Sequence, residues 1–135
     1  MGEEIFVDAN IFLEMFLDNE KADDCESYLK SFTERNQTAV TTDFIVYSCL
    51  LMIIRKINSL KTAKEALIFF SNLPQLKIIV PSINELSNAL DLMETNNLDF
   101  DDNLVVACME TYGITELVSL DKHFDKVKNI KRISF

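Results

Sequence analysis

The stretch Ile5-Phe6-Val7-Asp8-Ala9-Asn10-Ile11-Phe12-Leu13-Glu14 decides the fold. Its first residues form a short unbroken apolar run, the pattern of a strand buried on both faces, and the run ends in an acid followed by a helix start. The same device returns near the other terminus in Glu116-Leu117-Val118-Ser119-Leu120-Asp121. Strands that deliver carboxylates at their C-terminal ends build a site in the crevice beyond the edge of an open α/β sheet. Between them, Leu98-Asp99-Phe100-Asp101-Asp102-Asn103-Leu104-Val105-Val106-Ala107 opens a helix with further acids. Converging carboxylates repel one another at short range unless a cation lies between them, so the pattern asks for a metal.

Working outward, a strand is expected at 3–8, a short helix at 10–17, and a helix at about 20–35 whose stripe is Ala22, Cys25, Tyr28, Leu29 and Phe32. Residues 38–41 read as a short buried strand, with Asp43 as N-cap of a buried apolar helix that includes 44–54. A helix at about 60–73 and a strand at 76–80, closed by Pro81, come next. Ser82 then caps a helix to about 96, with Glu85 completing a capping box. Asp99 caps a helix at 100–112, which Gly113 ends. A strand at 116–120, a turn at 122–127 and an edge strand at 131–135 finish the chain. Strands separated by helices imply a three-layer α/β/α fold around a small parallel sheet of four to five strands.

The 135 residues, 48% of them hydrophobic, suit one compact domain over 1–135, and two glycines and two prolines leave no linker or repeat. A net charge of −9 argues against gripping nucleic acid by bulk attraction. Basic residues do gather locally, at Lys122, Lys126, Lys128, Lys131 and Arg132 and again at Arg55, Lys56, Lys61 and Lys64, where a solvated face is the default expectation. Cys25, Cys49 and Cys108, odd in number and widely spaced, read as free buried thiols of a reducing cytoplasm. Glu3 and Glu4 stand where a signal peptide carries basic residues. The longest apolar run, 44–54, falls short of the roughly 20 residues of a membrane span. The expectation is a cytoplasmic protein with no membrane partner.

The order strand-Asp8-x-Asn10, then Leu98-x-Phe100-x-Asp102 opening a helix, then Leu117-Val118-Ser119-x-Asp121-x-x-Phe124 resembles the PIN domain family, the fold of many toxin ribonucleases, the VapC-type among them. The resemblance covers nearly the whole chain. It implies that Asp8, Asp102 and Asp121 hold Mg²⁺ or Mn²⁺ for endoribonucleolytic cleavage of RNA, with Asn10 and Ser119 as hydrogen-bonding support. It also implies a homodimer and a small antitoxin partner whose basic residue enters the acidic pocket. One departure stands out: the family places a Glu about seven residues after its Thr-Thr or Thr-Ser pair, where this chain, aligned on Thr41-Thr42, has Ser48. A hydroxyl orients water or a ligand but brings no negative charge to a divalent ion. Substitute acids are Glu14, sharing a helix face with Asn10 at i, i+4, and Asp99, sharing one with Asp102 at i, i+3. Asp101 and Asp125 are expected to be solvated and His123 to be an ordinary surface residue.

Two other function classes remain open. Ser48 and the acidic charge suit a catalytically weakened PIN-like module that binds RNA or protein. A phosphotransferase of the haloacid-dehalogenase or receiver type also places an acid after its first strand, but the former needs a second Asp where this chain has Asn10.

Overall fold

The computed structural model describes residues 3–135, so Met1 and Gly2 of the expected single domain lie outside the described residues. In chain order the elements are β1 (Glu3–Val7), α1 (Ala9–Phe16), α2 (Ala22–Lys30), β2 (Gln37–Thr42), α3 (Asp43–Ile57) and α4 (Leu60–Asn72). They continue as β3 (Leu76–Ile79), α5 (Ile83–Thr95), α6 (Phe100–Tyr112), β4 (Glu116–Val118), a 3-10 turn (Lys122–Lys126) and β5 (Lys131–Ile133).

The strands form one wholly parallel sheet in the order β3-β2-β1-β4-β5. Ile5, Phe6 and Val7 are buried because β1 is central, with Ile5 level with Ala39 of β2 and Phe6 level with Leu117 of β4. The chain steps from β1 out to β2 and β3, then recrosses the sheet to lay β4 on the other side of β1. That reversal opens a crevice at the C-terminal ends of β1 and β4, the place where open α/β sheets bind ligands. Thr41 Oγ1 donates to the Val7 carbonyl at 3.1 Å and pins the end of β2 to the end of β1.

Strands β1, β3, β4 and β5 stop one or two residues before their expected ends, at Val7, Ile79, Val118 and Ile133, and three larger features also differ from the sequence expectation. Helix α2 stops at Lys30, and a turn through Asn36, at φ +53°, carries the chain into β2 while Phe32 stays in the core. The expected extension to 35 fails at Ser31, whose N–H and hydroxyl both donate to the Tyr28 carbonyl and tighten the last turn. The N-cap of α3 is Thr42, whose Oγ1 accepts from Ile45 N at 3.1 Å, whereas Asp43 is the first helical residue. The strand runs one residue further than expected, so the extended backbone that a cap requires falls on Thr42. Nor is α3 buried all round: Ile45, Val46, Cys49 and Ile53 face inward, while Phe44, Tyr47, Leu51 and Ile54 are exposed. A helix lying on a sheet covers it with one stripe and leaves the opposite stripe uncovered.

The main core runs through both faces of the sheet, and a small satellite of Ile53, Ala63 and Ala66 joins α3 to α4. Helix α6 is the most enclosed, with Asn103 through Met109 buried. The Asn103 amide donates to the carbonyls of Leu98 (2.9 Å) and Asp99 (3.2 Å), so the turn that launches α6 is tied from inside. No helix among the described residues is long and apolar enough to cross a membrane.

The cap assignment is testable by urea unfolding. Thr42→Val, which keeps shape and removes the accepting oxygen, costs about 1 kcal/mol. Asp43→Ala costs less, and equal losses at the two positions would refute Thr42 as the cap.

Candidate functional site

Asp8 follows β1 and caps α1, with Oδ1 accepting from Ala9 N at 2.8 Å. Its other oxygen accepts from Ser119 Oγ (2.8 Å) and Asn10 Nδ2 (3.3 Å). Asn10 Nδ2 also lies 3.1 Å from Ser119 Oγ, and Asn10 Oδ1 accepts from Leu120 N at 3.0 Å. Ser119 Oγ in turn accepts from Asp121 N at 3.0 Å. Asp8, Asn10, Ser119 and Asp121 thus form one network across the β1–β4 crevice. It holds two acid-bearing strand ends at fixed separation.

Asp8 is only 7% exposed. Burial pushes its carboxyl above the ordinary carboxylate range, the bonds from Ser119 and Ala9 pull it back, and the charges of Asp121 and Asp101 push it up again. Asp102, on the first turn of α6, is half-buried and pushed up to about 7, by burial first and then by Asp101, Asp8, Asp121 and Asp99. It is the one of the three acids that accepts no side-chain hydrogen bond among the described residues. Asp121 Oδ1 accepts from His123 N at 2.9 Å and lies 3.2 Å from His123 Nδ1. Asp8, Asp102 and Asp121 therefore lie closely enough to feel one another's charge.

The other residues singled out from the sequence occupy different places. Glu14 is turned to the α1–α2 connection, where its oxygens accept from Lys21 N (2.9 Å) and Asn19 Nδ2 (3.3 Å). Asp99 is exposed at the start of α6 and reaches Asp102 only through its charge. Ser48 is partly buried on α3 and makes no side-chain hydrogen bond among the described residues. Its neighbour Cys49 points at the Ala9 carbonyl (3.9 Å), with its thiol pushed up to about 12 by burial and by the Asp8 charge. The three cysteines are free and buried.

Asp101, though exposed, raises both Asp8 and Asp102 through its charge, which the expectation of a solvated residue missed. Its place beside Asp102 was the available signal. Arg132 was missed as a site residue. Its guanidinium donates to both oxygens of Asp125 (2.8 and 3.2 Å) and to the Ser119 carbonyl (3.0 Å). It fastens the 3-10 turn that Asp121 caps to Ser119, just past the end of β4. Only the β4–β5 register, which sets Arg132 level with Leu117, brings it there, so no local signal could have found it.

Among the described residues, no three His, Cys, Asp or Glu side chains are gathered tightly enough to cage an ion unaided. The donor set nevertheless fits a hard divalent cation that keeps much of its water, since Mg²⁺ commonly takes only one or two carboxylates. Asp102 accepts no hydrogen bond from a described side chain, and burial and four neighbouring acids push its carboxyl up.

The family model described as PIN domain matches residues 5–130. None of the curated proteins compared with the chain matches it by sequence. Among solved structures, VapC20 of Mycobacterium tuberculosis, described as a sarcin-ricin loop cleaving toxin, superposes with a TM-score of 0.76 at 12% identity, over 92% of this chain and 95% of that one. VapBC2 of Rickettsia felis, solved with a promoter DNA fragment, gives 0.73 at 17% identity, over 97% and 98%. A toxin–antitoxin complex from Klebsiella pneumoniae gives 0.69 at 13% identity, over 94% and 95%.

Because the fold favours protonated Asp102 relative to the unfolded chain, this group's stabilising contribution is full near pH 4 and is lost as pH rises through about 7. In metal-free protein, Asp102→Asn should raise the thermal midpoint by roughly 3 °C at pH 7.5. The gain should vanish near pH 4, and a gain independent of pH would contradict the electrostatic cause.

Proposed function

The chain belongs to the PIN domain family, and from that premise we propose that it is a metal-dependent endoribonuclease that hydrolyses RNA phosphodiester bonds, the toxin of a toxin–antitoxin pair. The observation that carries this reading is the electrostatic coupling of Asp8, Asp102 and Asp121 in the crevice between β1 and β4. These residues would hold Mg²⁺ or Mn²⁺. When bound, such a cation offers Lewis acidity to a phosphoryl oxygen and lowers the pKa of water. Ser119 and Asn10 fix the Asp8 carboxylate so that its free lone pairs face the crevice rather than swinging with the loop. Asp121 is held by its own turn and by the Arg132 clamp behind it. Asp102, half-buried on the first turn of α6, accepts no hydrogen bond from a described side chain and so has both oxygens available to the cation.

A homodimer is part of this reading. The exposed stripe Phe44, Tyr47, Leu51 and Ile54 on α3 supports it, since exposed apolar patches mark interfaces. An antitoxin partner is supported by the similarity to the Klebsiella pneumoniae and Rickettsia felis assemblies. The free buried thiols support a cytoplasmic setting. The second reading, a catalytically weakened module that binds RNA or protein, is favoured by Ser48 alone, which leaves the crevice one carboxylate short of the family pattern.

Incubation with RNA and Mn²⁺ tests the enzyme: wild type cleaves, Asp8→Asn falls to background, and Ser119→Ala loses about 10–100-fold because the ligand stays but its orientation does not. Cleavage that persists in Asp8→Asn would be contamination and would remove the enzyme reading. Calorimetry on Ser48→Glu should show tighter divalent-ion binding than wild type, and unchanged affinity would show that position 48 does not limit the site. For the dimer, sedimentation of Tyr47→Lys should give a monomer where wild type gives a dimer.

A further inference from the structure

The three acids are held in different ways. Ser119 and Asn10 grip the Asp8 carboxylate, and Asp121 caps the turn that follows it. Asp102 accepts no hydrogen bond from a described side chain, so its place depends on how the first turn of α6 is anchored. Asp99 is the N-cap of that helix by backbone conformation, yet its side chain makes no capping bond. The anchor is instead the connection 96–99 between α5 and α6, every carbonyl of which has a partner. The Asn96 carbonyl accepts from Leu98 N (2.9 Å) and the Asn97 carbonyl from Lys126 Nζ (2.9 Å). Those of Leu98 and Asp99 both accept from Asn103 Nδ2, at 2.9 and 3.2 Å.

Asn103 is completely buried. Both of its amide hydrogens go to carbonyls, which can only accept, so the amide cannot be turned over, and Oδ1 accepts from Asn96 Nδ2 at 3.2 Å. The bonds close a ring: Asn96 at the end of α5 reaches Asn103 on α6, and Asn103 returns to the connection between the two helices. An apolar side chain at 103 would enter the core at no polar cost, whereas an asparagine is tolerated there only with its bonds made. Lys126 belongs to the 3-10 turn that Asp121 caps, so the same connection also ties the segment before Asp102 to the turn after Asp121. At the opposite end of the helix pair, Thr111 Oγ1 donates to Glu85 Oε2 at 3.3 Å. The two helices are thus tied at both ends, and only the first tie adjoins Asp102.

Resting on the metal-dependent reading of the crevice, we propose that Asn103, seconded by Asn96, is the positioning residue of Asp102: it fixes the direction in which α6 leaves the connection, and so where Asp102 stands against Asp8 and Asp121 when a divalent cation binds. Asn103 is enclosed in the core and acts through the backbone of the adjoining residue. Partners of this kind set the affinity of a metal site without ligating the ion.

The test is Mn²⁺ binding to the full-length chain, read from the electron paramagnetic resonance signal of the free ion, beside the thermal midpoint of the metal-free protein. Asn103→Ala should raise the Mn²⁺ dissociation constant about tenfold. Asn96→Ala, at a partly exposed site, leaves the bonds to Leu98 and Asp99 in place and should raise it about threefold, half that loss on a logarithmic scale. It decides the matter if Asn103→Ala does not fold. Thr111→Val, which breaks the tie at the far end of α6, should lower the midpoint and leave Mn²⁺ affinity at the wild-type value. In RNA cleavage at limiting Mn²⁺, Asn96→Ala should lower kcat with KM for RNA unchanged, and excess Mn²⁺ should restore kcat, a recovery that loss of folded protein would not allow. Wild-type Mn²⁺ affinity in the asparagine variants that fold, or an equal loss in Thr111→Val, overturns the positioning role and leaves the metal-dependent reading standing. Wild-type chain that binds no Mn²⁺ overturns both.

Discussion

Mutual repulsion of carboxylates at the switch point of the sheet is the constraint on which the rest of this molecule depends. Folding brings Asp8 out of water and sets Asp102 and Asp121 near it, an arrangement that costs free energy in the absence of a cation. The fold holds it because the groups around the acids are over-determined. Ser119 donates to Asp8 and accepts from Asp121, Asn10 spans from Asp8 to Leu120, and Arg132 locks the turn behind them. Strain of this kind persists where surrounding structure leaves the side chains no alternative.

The scaffold supplies that rigidity from its most buried parts. β1 is the central strand, and α6 buries an almost continuous run of residues directly after Asp102. A carboxylate placed one residue before such a run cannot move far without dragging the core. Asp121 lies on a shorter and more open segment, so its position depends on the clamp between Arg132 and Asp125 and on the Ser119 hydroxyl. The acid that is best packed and the acid that is best clamped are thus held by different physics. Changes to one should leave the other in place.

Charge is distributed with the same logic. The chain is acidic overall, yet residues 122–132 carry five of its cations, and a second set sits where α3 ends and α4 begins. Large apolar side chains are exposed on the outer faces of α3, α4 and α5.

The sequence by itself determined the parallel α/β architecture and the three acidic blocks, because each is written in local signals: apolar runs, caps, and an acid at a strand end. It also showed Ser48 in place of an expected carboxylate. It misjudged the reach of α2, placed the cap of α3 one residue late, and read α3 as buried on all sides, since burial of a second face depends on what lies across it. Only tertiary structure decided that Glu14 turns to the α1–α2 connection, that Asp101 shares the field of Asp8 and Asp102, and that Arg132 fastens the turn at Asp121. Those are contacts between residues far apart in sequence, fixed by strand register and helix rotation, and neither quantity is encoded in any single stretch of chain.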